Sequence, residues 1–182
     1  RATGSDTAVE LVDTHPDKPA WIQRVAVVPD GIDDHAPLSV STPFSIRAWI
    51  EVRVPDIEVG VFVHCYDGSQ NRVFSTGSFF NPLLHGVKLE AGQHVFECNV
   101  PGHLLNDGEY TLDAMLVRDR HEVIATESSI LSFRIHDEPL GVEGWNWPAV
   151  GVIRPGLYWS HTMGESLVIN NDAAPSSERG KQ

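Results

Sequence analysis

Positive charge is scarce in this sequence, which has 13 lysine and arginine residues against 25 aspartate and glutamate residues. The net charge is -12 at pH 7, and no basic cluster offsets it along the chain. Because the phosphates of nucleic acid and of anionic lipids repel an acidic surface, this composition argues against DNA, RNA and anionic membranes as partners.

Long hydrophobic runs are also missing. No stretch approaches the roughly 18 apolar residues that a membrane-spanning helix needs. The N-terminal residues RATGSDTAVELVD lack the basic and apolar regions of a secretory signal. The chain is nevertheless long enough, at 182 residues and 41% hydrophobic content, to bury a core without help from metals or disulfides.

The usual catalytic and cofactor motifs are absent from the sequence. There is no phosphate-binding G-x-x-x-x-G-K-[ST] run and no G-x-S-x-G elbow. The nine histidines are scattered without the close spacing of a compact metal site, so we expect neither metal nor cofactor. Carboxylates such as Asp113 and Glu97 would suit a glycosidase only if the fold paired them, which spacing does not reveal. Enzyme activity is therefore disfavoured.

Cysteine is rare, with only Cys65 and Cys98 in the chain. Both lie in strand-like segments on the row that we assign to the core, so buried free thiols are the favoured interpretation. A disulfide would require the two strands to be neighbours with their Cβ atoms close together. The sequence leaves that alternative open.

Helical periodicity is nearly absent, whereas short segments of alternating apolar and polar residues recur between turn residues. Many short strands separated by turns are typical of an antiparallel β-sandwich, and no strand–helix–strand pattern is present. We therefore predict an all-β antiparallel sandwich. The predicted strands are Ile22–Val28, Phe44–Val54, Val59 to the Asp67-Gly68 hairpin turn, Arg72–Phe79, His94–Val100, Tyr110–Asp119 and Ser129–His136, followed by VGVIRP and SLVINN.

The composition of the chain changes at both ends. Residues 1–20 are polar and contain proline, which predicts a linker or N-terminal arm. Residues 21–160 contain the predicted sandwich. Residues 161–182 include a last strand-like segment and then NNDAAPSSERGKQ, which lacks apolar periodicity and predicts a disordered tail.

The stretch VGVFVHCY at 59–66 divides into two rows, because successive side chains of a strand point to opposite faces. One row is small and apolar and predicts core: Val59, Val61, Val63 and Cys65. The other row is aromatic and partly polar: Gly60, Phe62, His64 and Tyr66. We expect this second row to face outward. Alternation alone also permits the reverse arrangement, with the aromatic row inside.

Outward positions of other predicted strands carry Trp49 among charged residues, and also Asp113 and Arg134. Aromatic rings cover the C–H face of a pyranose, and planar polar side chains pair with its hydroxyls. The candidate carbohydrate-binding residues are Trp49, Phe62, His64, Tyr66, Asp113 and Arg134. We expect Trp49 to lie on the same sheet as the Phe62 row. In the alternative, the outward aromatic residues contact another subunit, and the chain is a structural or dimerisation module.

Three stretches, in this order, resemble the C-terminal domain of Wzt-type ATP-binding subunits of ABC exporters of O-antigen polysaccharide. They are VGVFVHCYDGSQNRVFSTGS, GVKLEAGQHVFECNVPGHLLNDGEYTL and SFRIHDEPLGVEGWNWPAVGVIRPGLYW. The resemblance runs from Trp21 to Trp159. The insertion WNWP at 145–148 does not match the family pattern. The family segment L-x-x-G-x-Y-x-L is matched by Leu105, Gly108, Tyr110 and Leu112.

The resemblance implies an immunoglobulin-like β-sandwich that binds O-polysaccharide without catalysis, through a modified non-reducing end, and so selects chains for export. It also implies a homodimer that exchanges a C-terminal strand, here VGVIRPGLYW or SLVINN. In the family, such a domain is attached to the ATPase domain at the cytoplasmic face of the inner membrane, and the exporter also contains a transmembrane subunit. Since this chain has no ATPase motif and no initiator methionine, we expect the excised binding domain, soluble as a fragment.

Overall fold

The computed structural model describes residues 7–14, 16–31, 37–137 and 150–154. Within these ranges the chain forms nine strands and two short 3₁₀ turns, Ser78–Phe80 and Pro82–Leu84. The strands are β1 (Ala8–Glu10), β2 (Ala20–Pro29), β3 (Leu38–Ser39), β4 (Phe44–Val52), β5 (Val59–Asp67), β6 (Arg72–Gly77), β7 (Gly92–Val100), β8 (Gly108–Arg118) and β9 (Glu122–His136).

The strands pair into two sheets. Sheet A has the order β1-β2-β4-β7 and is antiparallel throughout. Sheet B has the order β3-β9-β8-β5-β6 and is antiparallel except for the short β3–β9 pairing. One hydrophobic core joins side chains of both sheets. The all-β sandwich predicted from alternation is therefore confirmed.

The core sits between the sheets and uses alternate residues of each central strand, as the period of two requires. Phe44 of sheet A meets Phe133 of sheet B edge to face, with ring centroids 5.6 Å apart. Tyr110 stacks on the same Phe133 ring at 5.6 Å. The most deeply buried side chains of the core are Ile50, Leu112, Leu116, Ile135, Val25, Val27 and Val52.

The last predicted strand is longer than its pattern suggested. β9 begins at Glu122, and its first half pairs with β8 across the Asp119–His121 turn. The register shifts beside Ala114, where Ser129 adopts a φ of 50°. This bulge interrupts the alternation, and the polar residues before it resemble a loop in sequence.

The N-terminal segment contributes to the sandwich. Ala8–Glu10 pairs with β2 at the edge of sheet A, and Val9 is buried against the core. The region predicted as an arm thus supplies a strand, because its short apolar alternation completes the sheet edge. Residues 1–6, the WNWP insertion, the predicted C-terminal strand SLVINN and the predicted tail lie outside the described residues, and the domain boundaries remain predictions.

The strand β7 departs from its predicted role. Phe96 and Cys98 point inward but are only half-buried, because β7 forms one edge of sheet A beside an open gap between the sheets. Cys65 is buried in sheet B, and both thiols are free. Burial raises the pKa of Cys65 to about 12, so this thiol is inert at neutral pH.

Within the part of the chain that the structure describes, no helix is long and apolar enough to cross a membrane.

Candidate functional site: an aromatic row beside an inter-sheet cleft

The outward orientation of the aromatic row on β5 is confirmed. The small residues at 59, 61, 63 and 65 are buried, whereas Phe62, His64 and Tyr66 are half-buried on the outer face of sheet B. Their rings follow one another edge to face, with centroids 5.4 Å apart for Phe62 and His64 and 6.3 Å apart for His64 and Tyr66. The outer face therefore carries a continuous aromatic strip.

The β5–β6 hairpin adds polar groups to this strip. Arg72 lies opposite Tyr66, with its guanidinium 5.5 Å from the ring centroid and its Nη2 donating to the phenol oxygen at 3.1 Å. Ser75 lies opposite His64, and its Oγ is 2.7 Å from the imidazole Nδ1. Sequence reasoning did not select Arg72 or Ser75, although the predicted hairpin placed both beside the row.

On the other side of β5, Asp113 of β8 lies opposite His64. One carboxylate oxygen of Asp113 accepts a hydrogen bond from the backbone N–H of Ser129 at 2.7 Å and so holds the β9 bulge. Partial burial lowers the pKa of His64; the Arg72 guanidinium adds to this effect and the Asp113 carboxylate opposes it. The imidazole is consequently neutral at pH 7 and can both donate and accept a hydrogen bond.

Two glycines shape the end of the strip nearest Phe62. A Cβ at Gly77 would lie 2.4 Å from Cδ2 of Phe62, and a Cβ at Gly60 would lie 2.4 Å from Oγ of Ser78. Because Gly77 and Gly60 have no Cβ, the Phe62 ring can lie over β6 and the 3₁₀ turns can approach β5. Phe80 on the first turn then meets Phe62 edge to face at 5.5 Å.

Phe80 also lines an open cleft of about 520 Å³ between the two sheets. Its walls come from β4 and β7 on one side and from β5 and β6 on the other, and the 3₁₀ turns bound one end. The sequence did not reveal this cleft, because its walls belong to strands that are distant along the chain. The apolar lining residues are Ile46, Ala48, Val61, Val63, Phe80, Leu84, Leu89, Val95, Phe96 and Cys98.

The expected position of Trp49 is wrong. Trp49 belongs to β4 of sheet A, where it faces Arg24 and Val95 on the outer surface. The guanidinium of Arg24 covers the indole at 4.7 Å. Because the two sheets pack through their inner faces, Trp49 and the Phe62 row lie on opposite sides of the sandwich and cannot contact one sugar together.

Arg134 lies on the outer face of β9, two strands away from Tyr66. Two strand spacings amount to about 10 Å. Its guanidinium pairs with Glu109 at 2.6 Å. The compact group on sheet B is therefore Phe62, His64, Tyr66 and Asp113, with Arg134 at its margin.

The structure separates the two carboxylates considered for hydrolysis. Asp113 lies on the outer face of sheet B, whereas Glu97 lies on the outer face of sheet A, where it pairs with Arg47 at 2.5 Å. A glycosidase needs its two carboxyl groups on either side of one bond, which this placement does not provide. Within the described residues, no three histidine, cysteine, aspartate or glutamate side chains group together as metal ligands would.

Comparison with solved structures identifies the architecture. The crystal structure of the C-terminal domain of Wzt superimposes with a TM-score of 0.64 over 81% of this chain and 90% of that one, at 14% sequence identity. The chain has the fold of the Wzt C-terminal domain. A β-glucuronidase of glycoside hydrolase family 2 gives a TM-score of only 0.36, at 11% identity, over 63% of this chain and 11% of the other. No family model and no curated protein sequence matches the chain.

The agreement with Wzt is one of fold. At 14% identity the superposition supports the sandwich architecture and the resemblance found in the sequence. The aromatic strip, Arg72 and the cleft are formed by side chains of this chain, and the superposition on Wzt carries no information about them.

Proposed function

We propose that this chain is a non-catalytic carbohydrate-binding domain that binds O-antigen polysaccharide on the outer face of sheet B. The observation that carries the proposal is the aromatic strip with its adjoining donors and acceptors. Phe62 and Tyr66 offer rings to sugar C–H faces, while Arg72, His64 and Asp113 offer groups that pair with hydroxyls. The Wzt-like fold is consistent with this role.

In the full form of the proposal, the domain reads the modified non-reducing end of the polysaccharide and selects finished chains for an ABC exporter. It acts as a homodimer attached to an ATPase domain, beside a transmembrane subunit, at the cytoplasmic face of the inner membrane. A dimer would also strengthen weak binding, since two sites on one polysaccharide raise the effective concentration.

A binding titration tests this function. Native O-polysaccharide of the source strain is compared with the same material after its non-reducing end has been removed, and Tyr66→Ala serves as the site variant. Binding of the native chain alone, weakened by Tyr66→Ala, is the expected result. Equal binding of both samples would move recognition to the repeat unit. If neither sample binds, the carbohydrate proposal is wrong.

A second candidate is a dimerisation module, favoured by exposed apolar side chains near the cleft. Phe80, Leu83 and Val87 are exposed there, and the described residues place no strand on the outer edges of β6 and β7. Unpaired edges invite an added strand. Residues 152–153 already contact their own chain through Asn106 and Leu105, which favours SLVINN at 166–171 as the exchanged segment.

Light scattering separates the two candidates. Leu83→Asp places a charge in the exposed apolar patch and is expected to shift a dimer toward monomer. If the monomeric variant still binds polysaccharide normally, the patch serves assembly and the aromatic strip serves the ligand. If polysaccharide never binds and only assembly changes, the dimerisation module is the better description.

A further inference from the structure

The inter-sheet cleft has a largely apolar interior, and several of its few polar side chains already make a hydrogen bond within the chain. Thr76 hydrogen-bonds Cys98, and Ser78 Oγ accepts from the N–H of Val61 at 3.1 Å. Asn81 accepts from the N–H of Leu83 at 3.1 Å, and His94 Nε2 lies 2.9 Å from the carbonyl oxygen of Glu90. A sugar hydroxyl inside the cleft would find few free partners and would lose its hydration.

The charged residues around the cleft further limit which chemical groups it can accept. Among the described residues that line the cleft there is no lysine or arginine, and Glu97 at its rim turns its carboxylate to the outer face of sheet A, where it pairs with Arg47. An anionic group would gain no counter-charge there. The volume of about 520 Å³ is within the range of small-ligand sites, and its walls favour an uncharged apolar group.

The cleft adjoins the aromatic strip. Phe80 lines the cleft and contacts Phe62, while Gly77 lines the cleft and pairs with Phe62 across the hairpin. One ligand can therefore lie on the strip and send a substituent past Phe80 between the sheets. We propose that the cleft receives an acyl group esterified to the polysaccharide that the aromatic strip binds.

This inference rests on the proposed function and adds the chemical class of the substituent. The ring contacts on the strip hold the sugar, and the cleft discriminates acylated from unacylated chains. Burial of a methylene is worth about fourfold in affinity, so an acyl group with two buried carbons gives about fifteenfold. An acyl group is apolar beyond its ester, which matches the largely apolar lining of the cleft.

The reactivity of the Cys98 thiol, which lies in the cleft wall, can show whether the cleft is occupied. Cys98 is half-buried, whereas Cys65 is fully buried and serves as the unreactive internal control. Full-length protein is alkylated with iodoacetamide at mildly alkaline pH, and modification of each cysteine is followed by mass spectrometry. The two probes are native O-polysaccharide of the source strain and the same polysaccharide de-esterified with mild base.

The expected result is that Cys98 reacts in the free protein, is protected by native polysaccharide, and is protected about fifteenfold less well by the de-esterified sample. Phe80→Ala is expected to weaken binding of the native sample toward that of the de-esterified one. Val123→Ala is the control, since Val123 is an exposed apolar residue of β9, outside both the cleft lining and the exposed patch of the turns.

Three results would overturn the inference while leaving the carbohydrate function intact. Equal binding and equal protection by both samples would show that the domain does not recognise an ester group. Binding of native polysaccharide without protection of Cys98 would place the substituent elsewhere. A Cys98 that reacts only after denaturation would show that the chain itself or a second copy fills the cleft. Failure of both samples to bind would instead contradict the proposed function, and the inference with it.

Discussion

The ring of Phe80 meets the ring of Phe62 edge to face, with centroids 5.5 Å apart, at the point where the outer face of sheet B turns into the inter-sheet cleft. Phe62 was visible in the sequence as part of an alternating row. Phe80 lies 18 positions further along the chain, on a 3₁₀ turn that no periodic pattern in the sequence predicted. Their contact makes the strip and the cleft one continuous surface, and the predictions below examine its parts.

Tyr66→Ala and Trp49→Ala form a matched pair that identifies the binding face. If the Tyr66 ring gains as much from a sugar as aromatic rings gain from one another, about 1 kcal/mol, Tyr66→Ala should weaken polysaccharide binding about fivefold. Trp49→Ala should leave binding unchanged, because Trp49 lies on the opposite sheet under Arg24. Isothermal titration with thermal melts of both variants makes the comparison. The reverse pattern would assign the ligand to sheet A.

Gly77→Ala tests the close approach of Phe62 to β6. The new Cβ would lie 2.4 Å from the Phe62 ring, so the ring must move and the start of the strip is disturbed. Overpacking of this kind costs about 1–3 kcal/mol of stability, and we expect weaker polysaccharide binding as well. Gly68→Ala is the control, since its Cβ would meet nothing closer than 3.8 Å. If both variants unfold at the same denaturant concentration as the parent, the steric argument fails.

The lowered pKa of His64 predicts a pH dependence of stability. Since the pKa of the folded state lies below the ordinary value of 6.5, the folded chain binds fewer protons than the unfolded chain. The contribution of His64 to the free energy of unfolding is therefore complete above pH 6.5 and is lost as the pH falls toward the lowered pKa. Because His64 is only partly buried and solvent screens its charge, the effect should stay under about 1 kcal/mol.

Urea unfolding of the parent and of His64→Gln between pH 5 and pH 8 measures this difference. The parent should lose stability more steeply than the variant below pH 6.5. Parallel curves would mean that burial and the nearby Arg72 do not perturb the imidazole in the folded protein.

Tyr110→Phe should destabilise the sandwich without affecting the ligand. The buried phenol donates to the carbonyl oxygen of Asn106 at 3.0 Å and lies 3.2 Å from that of Val152, so it ties residues 150–154 to β8. Loss of these contacts should lower the free energy of unfolding by about 1–2 kcal/mol. Tyr66→Phe is the control, because its hydroxyl is exposed and pairs only with Arg72 among the described residues. Chemical denaturation that ranks the two variants equally would contradict the anchoring role.

Alternation along the sequence determined much of this protein. A side-chain period of two places every second residue on one face, so the outward row of Phe62, His64 and Tyr66 and the inward row of β8 could be predicted before any contact was known. The Asp67-Gly68 turn likewise predicted the β5–β6 hairpin. Local chemistry suffices for such features, because they depend on neighbours along the chain.

Only the tertiary structure decided which strands share a sheet. β4 pairs with β2 and β7, while β5 pairs with β6 and β8, so Trp49 and the Phe62 row lie on opposite sides of the sandwich. Asp113 and Glu97 are separated in the same way. The cleft lined by Phe80, Phe96 and Cys98 also arises from long-range pairing, since two sheet edges open side by side. Strand order follows from packing between distant segments, and the alternation within one strand carries no information about it.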